Sequence, residues 1–186
     1  MLTTPRLRLR RWQDEDREPF AALNADPAVM EHFPAPLNRE QSDDFIDRHD
    51  ALIAEQGWGL WAVEVIESDE VAVDSDSRPF IGFVGLAAPR FDADFMPCVE
   101  VGWRLAAEHW GRGYAPEAAL AALHHGFDVV GLDEIVSFTW VGNTKSRRVM
   151  EKIGLEERFE FDHPTLPGHR LERHVLYAQR ADQRSG

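Results

Sequence analysis

The sequence predicts a mixed α+β fold in which one sheet of about seven strands is covered by about four helices. Three observations predict it. Runs rich in β-branched and aromatic residues come in close pairs at 58–66 and 80–86, and again at 155–161 and 171–178, as hairpins do. Apolar residues recur at helical spacing over 39–55 and 115–130. Between these blocks, Val99 to Glu117 reads as strand, glycine-bearing turn and helix start, the beginning of a right-handed crossover.

In chain order, Leu7 and Leu9 alternate with Arg6, Arg8 and Arg10, the pattern of a first strand with one buried face. Asp14 to Asp16 place acidic groups at the positive end of a short helix whose apolar side holds Phe20, Ala21 and Leu23 and which ends near Asn24. Asp26 to Pro36 holds three prolines and should be irregular. A second helix is expected from Arg39 to Glu55, with Phe45, Ile46, His49, Leu52 and Ile53 at helical spacing and Gly57 as its stop. Trp58 to Ile66 and Phe80 to Leu86 read as strands joined by an acidic, solvated hairpin loop over Glu67 to Arg78, and Pro89 to Pro97 as a loop. Val99 to Leu105 is the next strand. Its following helix carries Ala115, Ala119, Leu120, Leu123, Phe127 and Val130 on one face and stops at Gly131. Glu134 to Val141 is a strand, Asn143 caps a helix that ends before Gly154, and Leu155 to Phe161 with Leu171 to Ala178 close the sheet. The last eight residues are polar and expected to fray. With no internal repeat or linker, 186 residues form one domain.

Composition narrows the function. Acidic side chains outnumber basic ones 33 to 20, a formal net charge of −13, which argues against nucleic acid or an anionic membrane as partner. The balance suits an amine-bearing substrate; the plainer reading is that it serves solubility. Cys98 is the single cysteine, so no intramolecular disulfide forms and a reducing compartment is expected. Met1 to Arg11 lacks an apolar signal core and no window reaches a membrane span, so the expected location is the cytoplasm. The eight histidines show no metal-ligand spacing, and His124-His125 reads as structural.

Two stretches point to an anion. Gly111 and Gly113 open the long helix, where glycine lets the backbone approach a ligand and first-turn N–H groups attract negative charge. The helix after Asn143 begins Thr144-Lys145-Ser146-Arg147-Arg148, and cations in a first turn oppose the macrodipole unless a bound anion offsets them. The plainer reading is that these long side chains point into water. A ligand with several phosphates along its length would use both starts.

With both stretches in view, the sequence resembles the GNAT superfamily of acyl-coenzyme A-dependent N-acyltransferases. The likeness runs from Thr4-Pro5-Arg6-Leu7 to Val175-Leu176-Tyr177 and is closest to the branch of the ribosomal-protein acetyltransferases RimJ and RimL. Gly111 to Ala115 fits the end of the family's pyrophosphate loop, while Trp110 departs from its first position. Glu100-x-Gly102-Trp103 before it, Tyr114-Ala115-Pro116-Glu117-Ala118 after it, Asn143-x-x-Ser146 and Glu151-Lys152-Ile153-Gly154-Leu155 complete the pattern. The resemblance implies a mostly antiparallel sheet and acetyl-coenzyme A as co-substrate. It implies that backbone N–H groups of Arg112, Gly113, Tyr114 and Ala115 cradle the pyrophosphate. The pantetheine arm would lie along Val101, Gly102, Trp103 and Arg104, where that strand splays from Glu134 to Val141. Asn143 would meet the pantetheine amide, and Lys145, Arg147 or Arg148 the nucleotide end.

Acyl transfer to an amine needs a neutral nucleophile, donors for the carbonyl oxygen and a proton for the leaving thiolate. Glu100 matches the family's glutamate base; a strand glutamate that faces solvent or pairs with an arginine is the alternative. Where many members carry a proton-donating tyrosine, this chain has Met150, and Ser146 is the preferred donor, with an ordinary helix-start serine as its alternative. His32, Phe33, Trp58, Trp61 and the His163–His169 loop are candidates for the acceptor site, although each aromatic also suits a core. The expected function is N-acetylation of a primary amine, on a small molecule or a protein N-terminus, by a monomer or homodimer without a metal. A non-catalytic acyl-coenzyme A sensor, motivated by Met150, is the alternative. A nucleotide-binding protein fits poorly, because no Lys-Ser/Thr follows Gly113.

Overall fold

The computed structural model describes residues 1–66 and 79–183; the expected acidic loop from Glu67 to Arg78 and the last three residues lie outside that range. The strands are β1 (Leu2–Thr3), β2 (Leu7–Arg10), β3 (Leu60–Val65), β4 (Phe80–Ala87), β5 (Glu100–Leu105), β6 (Glu134–Trp140), β7 (Glu156–Asp162) and β8 (Arg173–Arg180). They form one sheet of eight strands in the order β1-β2-β3-β4-β5-β6-β8-β7. Every neighbouring pair is antiparallel except β5 and β6, which are parallel. The strand beyond the expected seven is β1, whose two residues are too few to show a periodicity.

The helices are α1 (Arg17–Ala25), α2 (Arg39–Gln56), α3 (Tyr114–His124) and α4 (Thr144–Lys152). Asn38 caps α2 by accepting from the Gln41 N–H at 2.8 Å, and Gly57 ends it in the left-handed region at φ 82°. The long helix expected after Gly113 is α3 followed by a π-helical segment, His125–Val130. Its buried face holds Ala118, Ala119, Ala122 and Leu123, and Leu120 is 37% exposed. Ala119, Leu123 and Phe127 are thus buried as expected, and of the expected face only Leu120 is exposed.

The two faces of the sheet are covered by different helices. Successive strand residues point to opposite faces, so Phe83 and Val84 divide between them. On the Phe83 side, α1 and α2 contribute Phe20 and Phe45, whose rings lie 6.0 and 5.1 Å from Phe83, centroid to centroid. On the other side lies α3 with its π segment. There a Cβ on Gly126 would come within 2.6 Å of Ile135 Cδ1 and 3.0 Å of Leu86 Cδ1, so glycine permits the close approach. The edge strand β7 is charged and mostly exposed, which discourages pairing with another chain. β8 runs on to Arg180, so Gln179 and Arg180, expected to fray, are instead laddered to β6.

Candidate active site

The parallel junction between β5 and β6 is the feature that makes room. Their pairing is confined to Glu100 opposite Val136, with the Val136 N–H donating to the Val99 carbonyl at 2.9 Å. Beyond that point the strands diverge, and a cavity of about 630 Å³ occupies the fork. It runs from the starts of α3 and α4 to the connection between α1 and α2 and the loop before β8.

At one end, Gly111 and Gly113 sit at φ 76° and 82°, a conformation that other residues adopt only with strain. No side chain caps α3, leaving the Tyr114 and Ala115 N–H groups available in its first turn, and both residues line the cavity. The loop is braced from behind. Arg6 Nη1 donates to the Arg112 carbonyl at 2.9 Å, and Arg6 Nε and Thr4 Oγ1 donate to the Glu117 carboxylate at 2.7 and 2.6 Å. Sequence reasoning missed this brace, because Arg6 and Glu117 are 111 positions apart.

The start of α4 is built differently. Asn143 Oδ1 accepts from the Ser146 N–H at 3.2 Å, and Asn143 Nδ2 donates to Thr139 Oγ1 at 3.0 Å. The positive charge comes from side chains. Lys145 Nζ lies 4.2 Å from the centroid of the Trp110 ring and joins the two helix starts, and Arg148 also lines the cavity. Arg147 does not. Its guanidinium donates to the Tyr177 hydroxyl at 3.2 Å, to the Val141 carbonyl at 3.1 Å and to Glu157 at 2.9 Å, so it fastens α4 to the sheet.

Glu100 sits at the crotch of the fork. Burial pushes its carboxyl up to about 8, against a smaller opposing effect from the Phe138 N–H, which donates to it. It is half-buried because one side opens on the cavity, and among the described residues no cation pairs with it. Gly102, Trp103 and Arg104 line the same space, whereas the Val101 side chain is in the core with no exposed surface. Ser146 and Met150 line it from α4, and Met150 is 1% exposed.

Two acceptor candidates, Trp61 and Trp58, lie outside the cavity. Trp61 is buried, with its ring edge-on to His125, because alternation along β3 turns it toward α3. Trp58 packs against the core from the loop before β3 and lines no part of the cavity. Arg112 likewise keeps its side chain outside, and only its carbonyl is engaged, by Arg6. His32 and Phe33 do line the cavity, as do His163, Thr165 and Leu166 of the loop before β8. The sequence reading missed Ser137 and Thr139 on one face of the sheet and Phe138 and His174 on the other, which all line the cavity because it passes through the fork. The rings of His163 and His174 lie tilted at 54° with centroids 4.9 Å apart, and burial lowers the pKa of both. Among the described residues no cluster of His, Cys, Asp or Glu could hold a metal, and no helix is long and apolar enough to cross a membrane.

Comparison with known proteins agrees with this architecture. Residues 6–156 match the model of the acetyltransferase (GNAT) domain. The chain is 31% identical over 155 residues to the uncharacterized protein YkkB of Bacillus subtilis, covering 83% of this chain and 84% of that one. It is 31% identical over 192 residues to the FsC-acetyl coenzyme A-N(2)-transacetylase of Aspergillus fumigatus, covering 95% of this chain and 74% of that one. The structure aligns with a GNAT-family acetyltransferase from Bacillus anthracis at a TM-score of 0.78 and 24% identity, over 98% and 99% of the two chains. It aligns with the ribosomal L7/L12 acetyltransferase RimL at a TM-score of 0.73 over 97% of each chain, but at 13% identity this likeness concerns the fold alone. The mixed sheet, the fork and the family match agree: the chain belongs to the GNAT acetyltransferase family.

Proposed function

We propose that this protein is an acetyl-coenzyme A-dependent N-acetyltransferase that moves the acetyl group directly to a primary amine. The observation that carries the reading is the forked cavity, with an uncapped helix start, Lys145 and Arg148 at one end and a carboxyl raised to about 8 at the other. The Tyr114 and Ala115 N–H groups would hold the pyrophosphate, with Gly113 allowing the approach, and Lys145 and Arg148 would meet the nucleotide end. Asn143 spends one lone pair and one N–H inside the protein, so its side chain keeps one of each for the pantetheine amide.

In the reaction the amine nitrogen attacks the thioester carbonyl carbon, the new C–N bond forms, and the C–S bond breaks with its electron pair on sulfur. Glu100 accepts the proton that the amine sheds. The Trp103 N–H, which the β4–β5 ladder leaves turned to the fork while Gly102 and Arg104 pair with β4, would face the oxygen as it gains charge. The thiolate takes a proton through the Ser146 hydroxyl, which regains one from water. A base at about 8 matches an α-amino group, which titrates at about 8, better than a lysine at about 10.4. The α-amine preference is also what the resemblance of 114–118 and Asn143-x-x-Ser146 to the RimJ and RimL branch would imply. In the same reading the chain works as one cytoplasmic domain, as a monomer or homodimer, without a metal. Titration calorimetry should show acetyl-coenzyme A binding, and free thiol should appear when primary amines are added. Absence of binding at millimolar acetyl-coenzyme A would sink the reading.

A further inference from the structure

Arg104 is a charge without a counter-charge. It lies on β5 four positions after Glu100, so alternation puts both on the face covered by α1 and α2, about 13 Å apart between Cα atoms. Trp103, beside it, points to the opposite face, where α3 presents its phosphate-binding start. The Arg104 guanidinium lies 4.1 Å from the centroid of the Phe33 ring, and Nη1 donates to Asn24 Oδ1 at 2.6 Å. Asn24 is fully buried and donates in turn to Ser42 Oγ at 2.8 Å. The guanidinium is thus held in place by neutral groups. Nε is buried with no hydrogen-bond partner, and among the described residues no carboxylate pairs with it. Burial alone lowers its pKa to about 10, with no acidic group raising it. A half-buried cation with a buried, unpaired Nε is costly, and an arginine fork fits a carboxylate with two parallel hydrogen bonds.

The floor between the two charged residues is open. Gly102 shares their face and carries no side chain, and a Cβ there would stand 4.0 Å from Glu100 Oε1. A ligand lying along β5 would therefore meet a base at one end and a fixed cation at the other.

We propose that the acceptor is an amine that also carries a carboxylate, with the carboxylate received by Arg104 and the amine directed toward Glu100. The proposal rests on the acetyl-transfer reading for its second half only, because binding of a carboxylate at Arg104 can be measured without turnover.

The test uses matched pairs of probes with coenzyme A present. One pair is a free amino acid and its amide, which reads a main-chain carboxylate. The other is a blocked-C-terminus dipeptide beginning with Asp or Glu and its Asn or Gln counterpart, which reads a side-chain carboxylate. In at least one pair the acid should bind, and be acetylated, about 10- to 100-fold better than its neutral partner, the range for a charge-assisted contact. Arg104→Met should abolish that preference, and Arg104→Lys, which keeps the charge and loses the fork, should retain part of it. If acid and neutral probes bind the wild-type protein equally in both pairs, the proposal is overturned. It is overturned equally if Arg104→Met weakens both members alike, which is the behaviour of a strut supporting Phe33 and α1. Acid-selective binding without thiol release would instead count against the acetyl-transfer reading and leave the Arg104 site standing.

Discussion

The two ends of the cavity recognise charge by opposite means. At the start of α3 and α4, backbone N–H groups and the solvent-facing Lys145 and Arg148 are arranged near water, where each contact is weak and screened by salt. Along β5, Glu100 and Arg104 are each half-buried and, among the described residues, without an ionic partner, where a single group can shift a reaction strongly. Under the proposed function, the difference means that holding the co-substrate would be distributed over many small contacts, whereas the chemistry and the acceptor would depend on a few isolated groups.

That contrast breaks most visibly at Glu100. Glu100→Gln should lower kcat by about 10²- to 10⁴-fold, the usual contribution of a general base, while acetyl-coenzyme A affinity by calorimetry stays unchanged. For the wild type, the rate should rise as pH climbs through about 8, because only the ionised carboxyl accepts a proton, and the variant should lose that limb. Stability should move the other way. The folded value lies above the ordinary 4.5, so the stabilising advantage of the protonated group is whole below 4.5 and is lost as pH rises through about 8. Thermal melts of Glu100→Gln should be flatter over that interval. An equal loss of cofactor affinity and rate would erase the distinction between the two ends.

At the other end, Gly113→Val forces a β-branched residue to φ 82° and sets its Cβ 3.3 Å from Arg6 Nη2. Acetyl-coenzyme A should bind about 10- to 100-fold more weakly, corresponding to about 1.4–2.8 kcal/mol, while the kcat at saturation changes little. Smaller still is the contrast between two neighbouring cations of α4. Lys145→Ala should weaken acetyl-coenzyme A binding about 2- to 5-fold at low salt, and the effect should fade as salt is added. Arg147→Ala should leave binding unchanged and cost less than about 1 kcal/mol of stability, since its partners are Tyr177, Val141 and Glu157. Equal effects of the two substitutions on binding would show that the basic stretch acts as an undivided patch.

The sequence by itself determined the features that neighbours along the chain dictate. Strand and helix order follow from side-chain period, Gly57 and Gly131 end their helices because they adopt φ values that other residues resist, and Asn143 caps α4 through its own next turn. The glycine loop, the basic start of α4 and the position of Glu100 on a strand were legible for the same reason. Only the tertiary structure decided which side chains meet. Trp61 and His32 are both aromatic, yet the first is sealed against His125 and the second opens on the cavity. Lys145 and Arg147 are two residues apart, yet one faces the cavity and the other is bound to β7 and β8. Arg104 read as strand backbone beside a thioester and became a half-buried cation held by neutral groups only when Asn24, 80 positions earlier, and Phe33 closed over it. Local conformation is set by steric limits within a few residues, whereas burial and pairing depend on elements that the fold alone brings together.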